Sequence, residues 1–143
     1  MKVILTQTDT TVGFISQDEQ RLKELKSRSS LKPFIKVFND LKSLKDSNIR
    51  IPNKFKNHIR RAKKTTFIVK NQAFRVATSP INSQILRDLT WHYSTSANES
   101  GKDFCRSFCE QKADIIIENR FGLHQNSSSS LYKINQLKQK RVR

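Results

Sequence analysis

Glycine and proline are both scarce in this chain, with three residues of each among 143. Phosphate-binding loops of the GxxxxGK[ST] and GxGxxG kinds need several glycines within a few positions, because the backbone must approach the phosphates closely. The three glycines here, Gly13, Gly101 and Gly122, are far apart. The sequence therefore excludes both kinds of loop.

Long apolar runs are also missing. A membrane-spanning helix needs ~20 consecutive apolar residues, and no segment approaches that length. The first residues, MKVILTQTDT, contain a short apolar run that does not reach the length of a signal-peptide core. We therefore expect no membrane contact and a cytoplasmic location.

Cysteine is limited to Cys105 and Cys109, four positions apart in a segment predicted to be helical. That spacing places both side chains on one helix face, but no further ligand lies near them in the sequence. The histidines, at positions 58, 92 and 124, are scattered. We expect two reduced thiols, structural or solvent-facing histidines and no metal site.

Acidic residues are few, since 12 Asp and Glu stand against 28 Lys and Arg and the formal net charge is +16. This imbalance indicates an anionic partner. Two segments concentrate the positive charge without any acid, KFKNHIRRAKK at 54–64 and KINQLKQKRVR at 133–143. Both suit an ordinary solvated surface, and both also suit RNA phosphates or a polyphosphate ligand.

Apolar periodicity predicts alternating strands and helices. Strands are expected at 2–6, 33–38, 65–70, 73–79, 113–119 and 131–135, and helices at about 17–27, 39–47, 52–63, 80–91 and 101–111. Ser16 and Glu19 have the spacing of a capping box, Ser79-Pro80 offers a cap and a first-turn proline, and Asn71-Gln72 is placed to turn a hairpin. We predict one α/β domain, residues 1–143, with a twisted mixed sheet and flanking helices.

Three polar clusters follow or interrupt the predicted strands, where α/β proteins place their sites. The first is TQTDTTVGF at 6–14. The second, LKSRSSLKP at 25–33, can clamp an anion, because arginine grips two oxygens in a fork and lysine acts as a mobile point charge. The third, from Thr95 to Gly101, offers short hydroxyl and amide groups ahead of a helix whose N-terminus attracts phosphate. Each cluster alone is equally explained by helix caps or a solvated helix face.

Taken in order, TDTTVGF, LKSRSSLKPF, FRV and STSANESG resemble the motifs of the YrdC-like family, the threonylcarbamoyl-AMP synthases. The family's pattern runs PT[DE]TVYGL, LKxRPxxKPL, RxP and TSANxSG, of which the last is the most specific. The resemblance covers almost the whole chain, because ADIIIENRFG and SSSSLYKI are similar to later strands of the family. It implies an α/β sheet wrapped around a deep, positively charged cavity.

The resemblance also implies a nucleotidyl transfer. L-Threonine, bicarbonate and ATP, with Mg²⁺, would give threonylcarbamoyl-AMP and pyrophosphate, and downstream proteins would place the group on adenosine 37 of tRNAs. Threonine's amine adds to bicarbonate or carbon dioxide, and the resulting carbamate attacks the α-phosphorus. The protein's part is to position the reactants and neutralise charge, which Mg²⁺ shares by bridging phosphates.

Matched residue by residue, the resemblance implies that Lys26 and Arg28 clamp the triphosphate and the carboxylate or bicarbonate. Lys32 would add a phosphate contact, and Thr10 would help to hold threonine.

The later motifs supply the cavity wall and the nucleotide contacts. Arg75 and Thr95 would line the wall, and Ser96 and Asn98 would bind nucleotide phosphate and ribose. Ser129, or the serine after it, would match the family's later nucleotide-contacting serine.

Several positions depart from the family's pattern. Gln7 replaces the usual proline, Val12 replaces a tyrosine, Ser29 replaces a proline, and RxP becomes Arg75-Val76-Ala77. The chain is also shorter than a typical member. The alternative is therefore a non-catalytic YrdC-like module that binds RNA, double-stranded RNA or tRNA included, or nucleotide. A third possibility is carbamoyl-adenylate chemistry on another acceptor.

Overall fold

The computed structural model describes residues 2–26, 34–136 and 138–143. The described residues form one mixed sheet of nine strands in the order β7-β1-β2-β6-β3-β5-β4-β8-β9. The strands are β1 Ile4–Gln7, β2 Val12–Ser16, β3 Ile35–Phe38, β4 Thr65–Val69, β5 Gln72–Val76, β6 Trp91–Ser96, β7 Ile115–Ile117, β8 Ser130–Ile134 and β9 Gln139–Arg141. The helices are α1 Glu19–Lys26, α2 Leu41–Lys45, α3 Lys56–Arg61, α4 Gln84–Asp88 and α5 Arg106–Lys112, with a 3₁₀ turn at Asn53–Phe55 before α3. The predicted α/β class and mixed sheet are confirmed.

One face of the sheet is apolar. Strand residues alternate between faces, and Leu5, Phe14, Phe38 and Phe74 are all at most 1% exposed on this side. Leu22 of α1 and Cys109 of α5 cover its first half. The second half is packed against residues of α2 and α3, Leu44 and Ile59. The hydrophobic core therefore lies between the sheet and these four helices.

The other face carries polar side chains along the middle of the sheet. Thr6 pairs with Gly13, which in turn pairs with Ser96, and directly paired residues project to the same face. On the same face, Val37 pairs with both His92 and Arg75. The lower part of this face is covered by α4 and its neighbours, whose contacts with the sheet include Leu86 against Ile4 and Ile15. The rest of this face borders a cavity.

Local chemistry explains the elements that were predicted correctly. Asp40 caps α2 by accepting a 2.7 Å hydrogen bond from the Ser43 amide. Strands β4 and β5 form the predicted hairpin with Val69 paired to Gln72. Its turn is Lys70-Asn71, with φ angles of 49° and 65°, so it lies one residue earlier than predicted. Two positive φ angles are the geometry of the tight hairpin turn that matches strand twist.

Three predicted helix starts are wrong. The helix predicted from residue 101 is α5, which begins at Arg106. Ser16 is the last residue of β2, and the cap of α1 is Asp18, whose carboxylate accepts from the Arg21 amide at 3.1 Å. Ser79-Pro80 does not open α4, which begins at Gln84. The Ser79 hydroxyl instead accepts a hydrogen bond from the amide of Ile81 in the preceding loop.

Three strands were not predicted from the sequence. Strand β2 begins inside the first polar cluster, β6 includes the start of the third, and β9 lies in the basic 133–143 segment. The predicted strand 113–119 is shorter than expected and forms one edge of the sheet, with Ile116 41% exposed. Among the described residues, no helix is long and apolar enough to cross a bilayer.

Candidate functional site

A cavity of about 210 Å³ opens on the polar face, above β2, β6, β3 and β5. Most of its lining is hydroxyl groups, and two arginines and two apolar side chains complete it. The lining residues are Thr8, Thr10, Thr11, Gly13, Phe34, Ile35, Arg75, Ser94, Thr95, Ser96, Ser128, Ser129 and Arg143. The chemistry of this lining favours a small, polar, negatively charged ligand.

The β1–β2 hairpin forms one wall. The Thr8 hydroxyl donates to the carbonyl of Thr11 at 2.6 Å and accepts from the amide of Thr10 at 3.2 Å, which fixes the turn. At Gly13, a Cβ atom would meet the Thr95 carbonyl oxygen at 3.0 Å and Thr8 Cγ2 at 3.1 Å. A larger residue there would push the hairpin away from β6, so the glycine is needed for close packing.

Arg75 lies at the cavity floor, on β5, and is only 4% exposed. Its Nη1 donates to the Thr10 hydroxyl at 3.3 Å, and its Nη2 lies 3.1 Å from Asp9 Oδ1. Burial and, more weakly, the Arg143 charge lower the pKa of Arg75, while Asp9 opposes them. Because a guanidinium remains protonated far above neutral pH, the side chain stays charged at neutral pH.

Arg143 is the second cation and was missed by the sequence analysis. Its Nε donates to the Ser129 carbonyl at 3.0 Å, and its Nη2 approaches the Ser129 hydroxyl at 3.4 Å. Ser129, 3% exposed, also shares a 2.7 Å hydrogen bond with the Thr66 hydroxyl on β4. Arg143 was missed because strand β9, and with it the β8–β9 hairpin, was not predicted. This hairpin folds the end of the basic segment 133–143 back along β8 and places Arg143 at the cavity.

A second cavity of about 300 Å³ adjoins the first and shares Thr11, Ser96 and Ser128 with it. Side-chain amides line much of it, from Asn98, Gln125 and Asn126. Amide groups donate and accept hydrogen bonds without charge, and Lys102 adds one cation to this lining. The two cavities together suit a polar ligand that carries negative charge.

Lys26 supports the loop after β6. It is 7% exposed, and its ammonium donates to the Ser96 carbonyl at 3.0 Å, the Asn98 carbonyl at 2.8 Å and Asn98 Oδ1 at 3.0 Å. These acceptors match the three protons of an ammonium group. In this arrangement Lys26 ties α1 to the loop, while its predicted contact with triphosphate stays a prediction.

Asn98 is engaged by the same loop. Its Oδ1 also accepts from the Ser96 hydroxyl at 2.6 Å, and its Nδ2 donates to the carbonyls of Glu99 at 2.9 Å and Lys102 at 2.7 Å. The side chain thus shapes the loop, and its predicted nucleotide contact is untested.

The sequence-predicted site residues largely meet at one place. Five line the first cavity, namely Thr10, Arg75, Thr95, Ser96 and Ser129, and Asn98 lines the second. Arg28 and Lys32 lie outside the described residues, although Phe34, which follows that segment, lines the first cavity. Within the described part of the chain, no group of three or more His, Cys, Asp or Glu is placed to hold a metal ion.

The fold and the cavity define a class of α/β proteins with a polar cavity above one face of a mixed sheet. A family model assigns the sequence to a known family. The chain belongs to the Sua5/YciO/YrdC family, whose model, described as telomere recombination, matches residues 2–142. The suspected YrdC-like resemblance is thereby confirmed.

Solved structures show the same fold. E. coli YciO has 19% sequence identity and a TM-score of 0.76, covering 99% of this chain and 82% of that one. The P. abyssi Sua5 complexed with L-threonine has 18% identity and a TM-score of 0.75, covering 99% and 50%. Full-length HypF in a phosphate- and nucleotide-bound form has 16% identity and a TM-score of 0.73, covering 99% and 22%. The chain spans about half the length of the Sua5 structures, and no curated protein sequence matches it.

Proposed function

We propose that this protein is a nucleotidyltransferase that makes threonylcarbamoyl-AMP from L-threonine, bicarbonate and ATP, for transfer to adenosine 37 of tRNA by downstream proteins. One observation carries the proposal: Arg75 and Arg143 border the same hydroxyl-lined cavity, which continues into an amide-lined one. The P. abyssi Sua5 of the same fold was solved with L-threonine, which supports threonine as the ligand. A cytoplasmic location is part of the same proposal.

The size of the cavity favours the amino acid over the nucleotide. Drug-sized ligands occupy pockets of roughly 300–1,000 Å³, whereas the arginine-lined cavity holds about 210 Å³. A threonine carboxylate would accept hydrogen bonds from the Arg75 and Arg143 side, with the surrounding hydroxyls available to its amine and side chain. The adjoining cavity of about 300 Å³ would take part of the nucleotide.

In the proposed reaction the chain acts by positioning. The carbamate formed from threonine and bicarbonate must approach the α-phosphorus in line with the departing pyrophosphate. Holding both reactants in adjoining cavities makes that encounter intramolecular, and fixed cations stabilise the charge that develops. Mg²⁺ would accompany ATP and be held by its phosphates, because the described lining of both cavities contains no carboxylate.

The test is pyrophosphate release measured with each of the three substrates omitted in turn. We expect release only when L-threonine, bicarbonate and ATP are all present. Arg87→Ala, an exposed arginine on α4, is the control and should leave the rate unchanged. Release without threonine would point to another acceptor, and a complete absence of release would contradict the proposal.

A second candidate, an RNA-binding module, is favoured by the distribution of charge. Residues 47–87 and 119–143 contain no Asp or Glu. Folding brings these segments together, because β4 and β5 from the first lie beside β8 and β9 from the second. Lys133 pairs with Lys140, and the Lys64 carbonyl accepts from the Ser130 amide. Both basic segments therefore meet at one end of the sheet, as a phosphate backbone requires.

RNA binding is tested by its salt dependence. We expect Lys133→Gln and Lys140→Gln each to weaken binding equally for unrelated RNA sequences and to lower the salt slope by about one. Lys112→Gln, exposed at the end of α5 on the other half of the sheet, is the matched control. If the salt dependence of RNA binding were the same for all three variants, the proposed RNA-binding surface would be wrong.

A further inference from the structure

Arg75 also borders a second, much smaller cavity of about 20 Å³ on the polar face of the sheet. Its lining includes Thr6, Asp9, Val37, Leu86 and His92. This space is much smaller than the ligand cavity. A volume near 10–15 Å³ is the least that one water molecule needs, so there is room for one water and for nothing larger.

Three buried polar atoms converge on this small cavity. Among the described residues, the buried side-chain atoms without a hydrogen-bond partner are Thr6 Oγ1, Arg75 Nε and His92 Nδ1. All three residues line the small cavity, and their side chains are 2%, 4% and 9% exposed. Buried polar atoms are nearly always hydrogen-bonded, so three exceptions around one space need a common explanation.

The sheet register places the three residues on the same face. His92 and Arg75 flank Val37, which pairs with both, and Thr6 lies on that face in the row of Gly13 and Ser96. Their common location is the small cavity, which all three line. The three side chains come from β1, β5 and β6, so no single segment of the chain could have revealed them together.

We propose that the small cavity binds one water molecule, which joins Arg75 to His92 and Thr6 and makes His92 a positioning residue for the Arg75 guanidinium. The water accepts a hydrogen bond from Nε of Arg75. It donates one proton to Nδ1 of His92 and the other to the hydroxyl oxygen of Thr6. Each of the three unpartnered atoms then has a partner of the opposite kind, and three hydrogen bonds are the usual number for a buried water.

The charges around the cavity disfavour a cation, which would lie against the guanidinium. The proposed water requires the His92 proton on Nε2, and in that tautomer an anion would lie against an Nδ1 that accepts rather than donates. Burial and the Arg75 charge lower the pKa of His92 to about 4, so the ring is neutral at pH 7 and one of its nitrogens is an acceptor. A molecule that both donates and accepts is required, and water is the one that fits the volume.

The water completes the restraint of Arg75. Nη1 already contacts Thr10, and Nη2 already contacts Asp9. A partner for Nε holds the third nitrogen, so the plane of the guanidinium is fixed relative to the ligand cavity. The water site stands on the geometry alone, while its effect on threonine binding rests on the proposed function.

The water site is tested by NMR of the Arg75 Nε–H group, assigned by its loss in Arg75→Lys. We expect a cross-peak from this proton to a long-lived water in the wild-type protein. The peak should vanish in His92→Leu and persist in His58→Leu, whose histidine is exposed on α3. If the wild-type proton shows no contact with a long-lived water, the site is wrong, and this result needs neither histidine variant to fold.

The positioning role is tested by threonine affinity. We expect His92→Leu and Thr6→Val to weaken threonine binding about tenfold, the loss typical of one hydrogen bond to a charged group. His92→Asn, which offers an amide oxygen near the position of Nδ1, should restore most of the affinity. Unchanged affinity in both Thr6→Val and His92→Leu would overturn the positioning role. If wild-type protein binds no threonine, the proposed function fails while the NMR result still decides the water site.

Discussion

Arg75 is a buried cation whose guanidinium is held in place by its neighbours. It is almost fully enclosed, yet it keeps its charge because Asp9 and the Thr10 hydroxyl lie within 3.3 Å of its guanidinium. Its pairing to Val37 on β3 places it near the middle of the sheet, where the flanking strands can supply partners. A cation fixed in this way offers a ligand carboxylate a donor that needs no rearrangement.

Replacing Arg75 by lysine should weaken threonine binding about 100-fold. Lysine keeps the charge but cannot contact Asp9, Thr10 and a ligand with one fork, and disrupting a buried hydrogen-bonded charge pair costs ~2–5 kcal/mol. Calorimetry with threonine measures the loss, with Arg87→Lys as the control. An affinity equal to that of the wild type would show that Arg75 does not contact the ligand.

His92 should make the protein less stable below pH 6.5. Burial and the Arg75 charge lower its pKa from 6.5 to about 4, so between these values the unfolded chain binds a proton that the folded chain does not. Stability is therefore complete above pH 6.5 and falls by about 3 kcal/mol as the pH drops to 4. Denaturant unfolding between pH 7 and pH 4.5 measures this.

The control for that experiment is His92→Leu, which should show a flatter profile over the same range. Asp40, whose pKa is lowered chiefly by the Ser43 amide, loses its contribution only at lower pH. Parallel profiles for the wild type and His92→Leu would contradict the burial of a neutral imidazole.

At the scale of elements, the loop after β6 is held in place by α1. Lys26 at the end of α1 donates to Ser96 and Asn98, and Ser100 donates back to the Lys26 carbonyl at 3.0 Å. The helix, the loop and the central strand therefore form one rigid unit beside both cavities. The same residue types that the family resemblance links to phosphate also shape the site in this structure.

Asn98→Ala should consequently destabilise the protein. The variant removes the Oδ1 acceptor of the buried Lys26 ammonium and the Nδ2 donor to the Lys102 carbonyl, a loss of about 1–3 kcal/mol. Thermal unfolding should show a drop in Tm of roughly 5–10 °C, whereas Asn48→Ala, at an exposed position after α2, should not. A Tm within one degree of wild type would mean that Asn98 serves the ligand and not the loop.

Helices α2 and α3 and the β4–β5 hairpin were predicted because apolar residues of each pack into the core. Strand β5 was predicted although it carries Arg75, because Phe74 packs in the core on its other face. Strand β6 was missed because its cavity face carries His92, Ser94 and Ser96, so it lacks the apolar residues expected of an internal strand. In β6 the residues of the site hide the local pattern of the strand.

At the scale of the whole molecule, the cavities and the acid-free segments lie at different places along the sheet. The ligand cavities lie above the middle strands, and the acid-free segments gather at the β9 end. Motif order predicted the residues that meet at the cavity, because those motifs lie at strand ends and turns. Arg143 and the small cavity could not be predicted, since both depend on pairings between strands far apart in the sequence.

Calorimetric titration of the protein with L-threonine and with L-threoninamide, each in the presence of a non-hydrolysable ATP analogue, separates the carboxylate from the rest of the ligand. Because Arg75 and Arg143 face the cavity, we predict measurable binding of threonine and at least about 100-fold weaker binding of the amide. Equal binding of the two compounds, or binding of neither, would contradict a cavity built to hold an amino acid by its carboxylate.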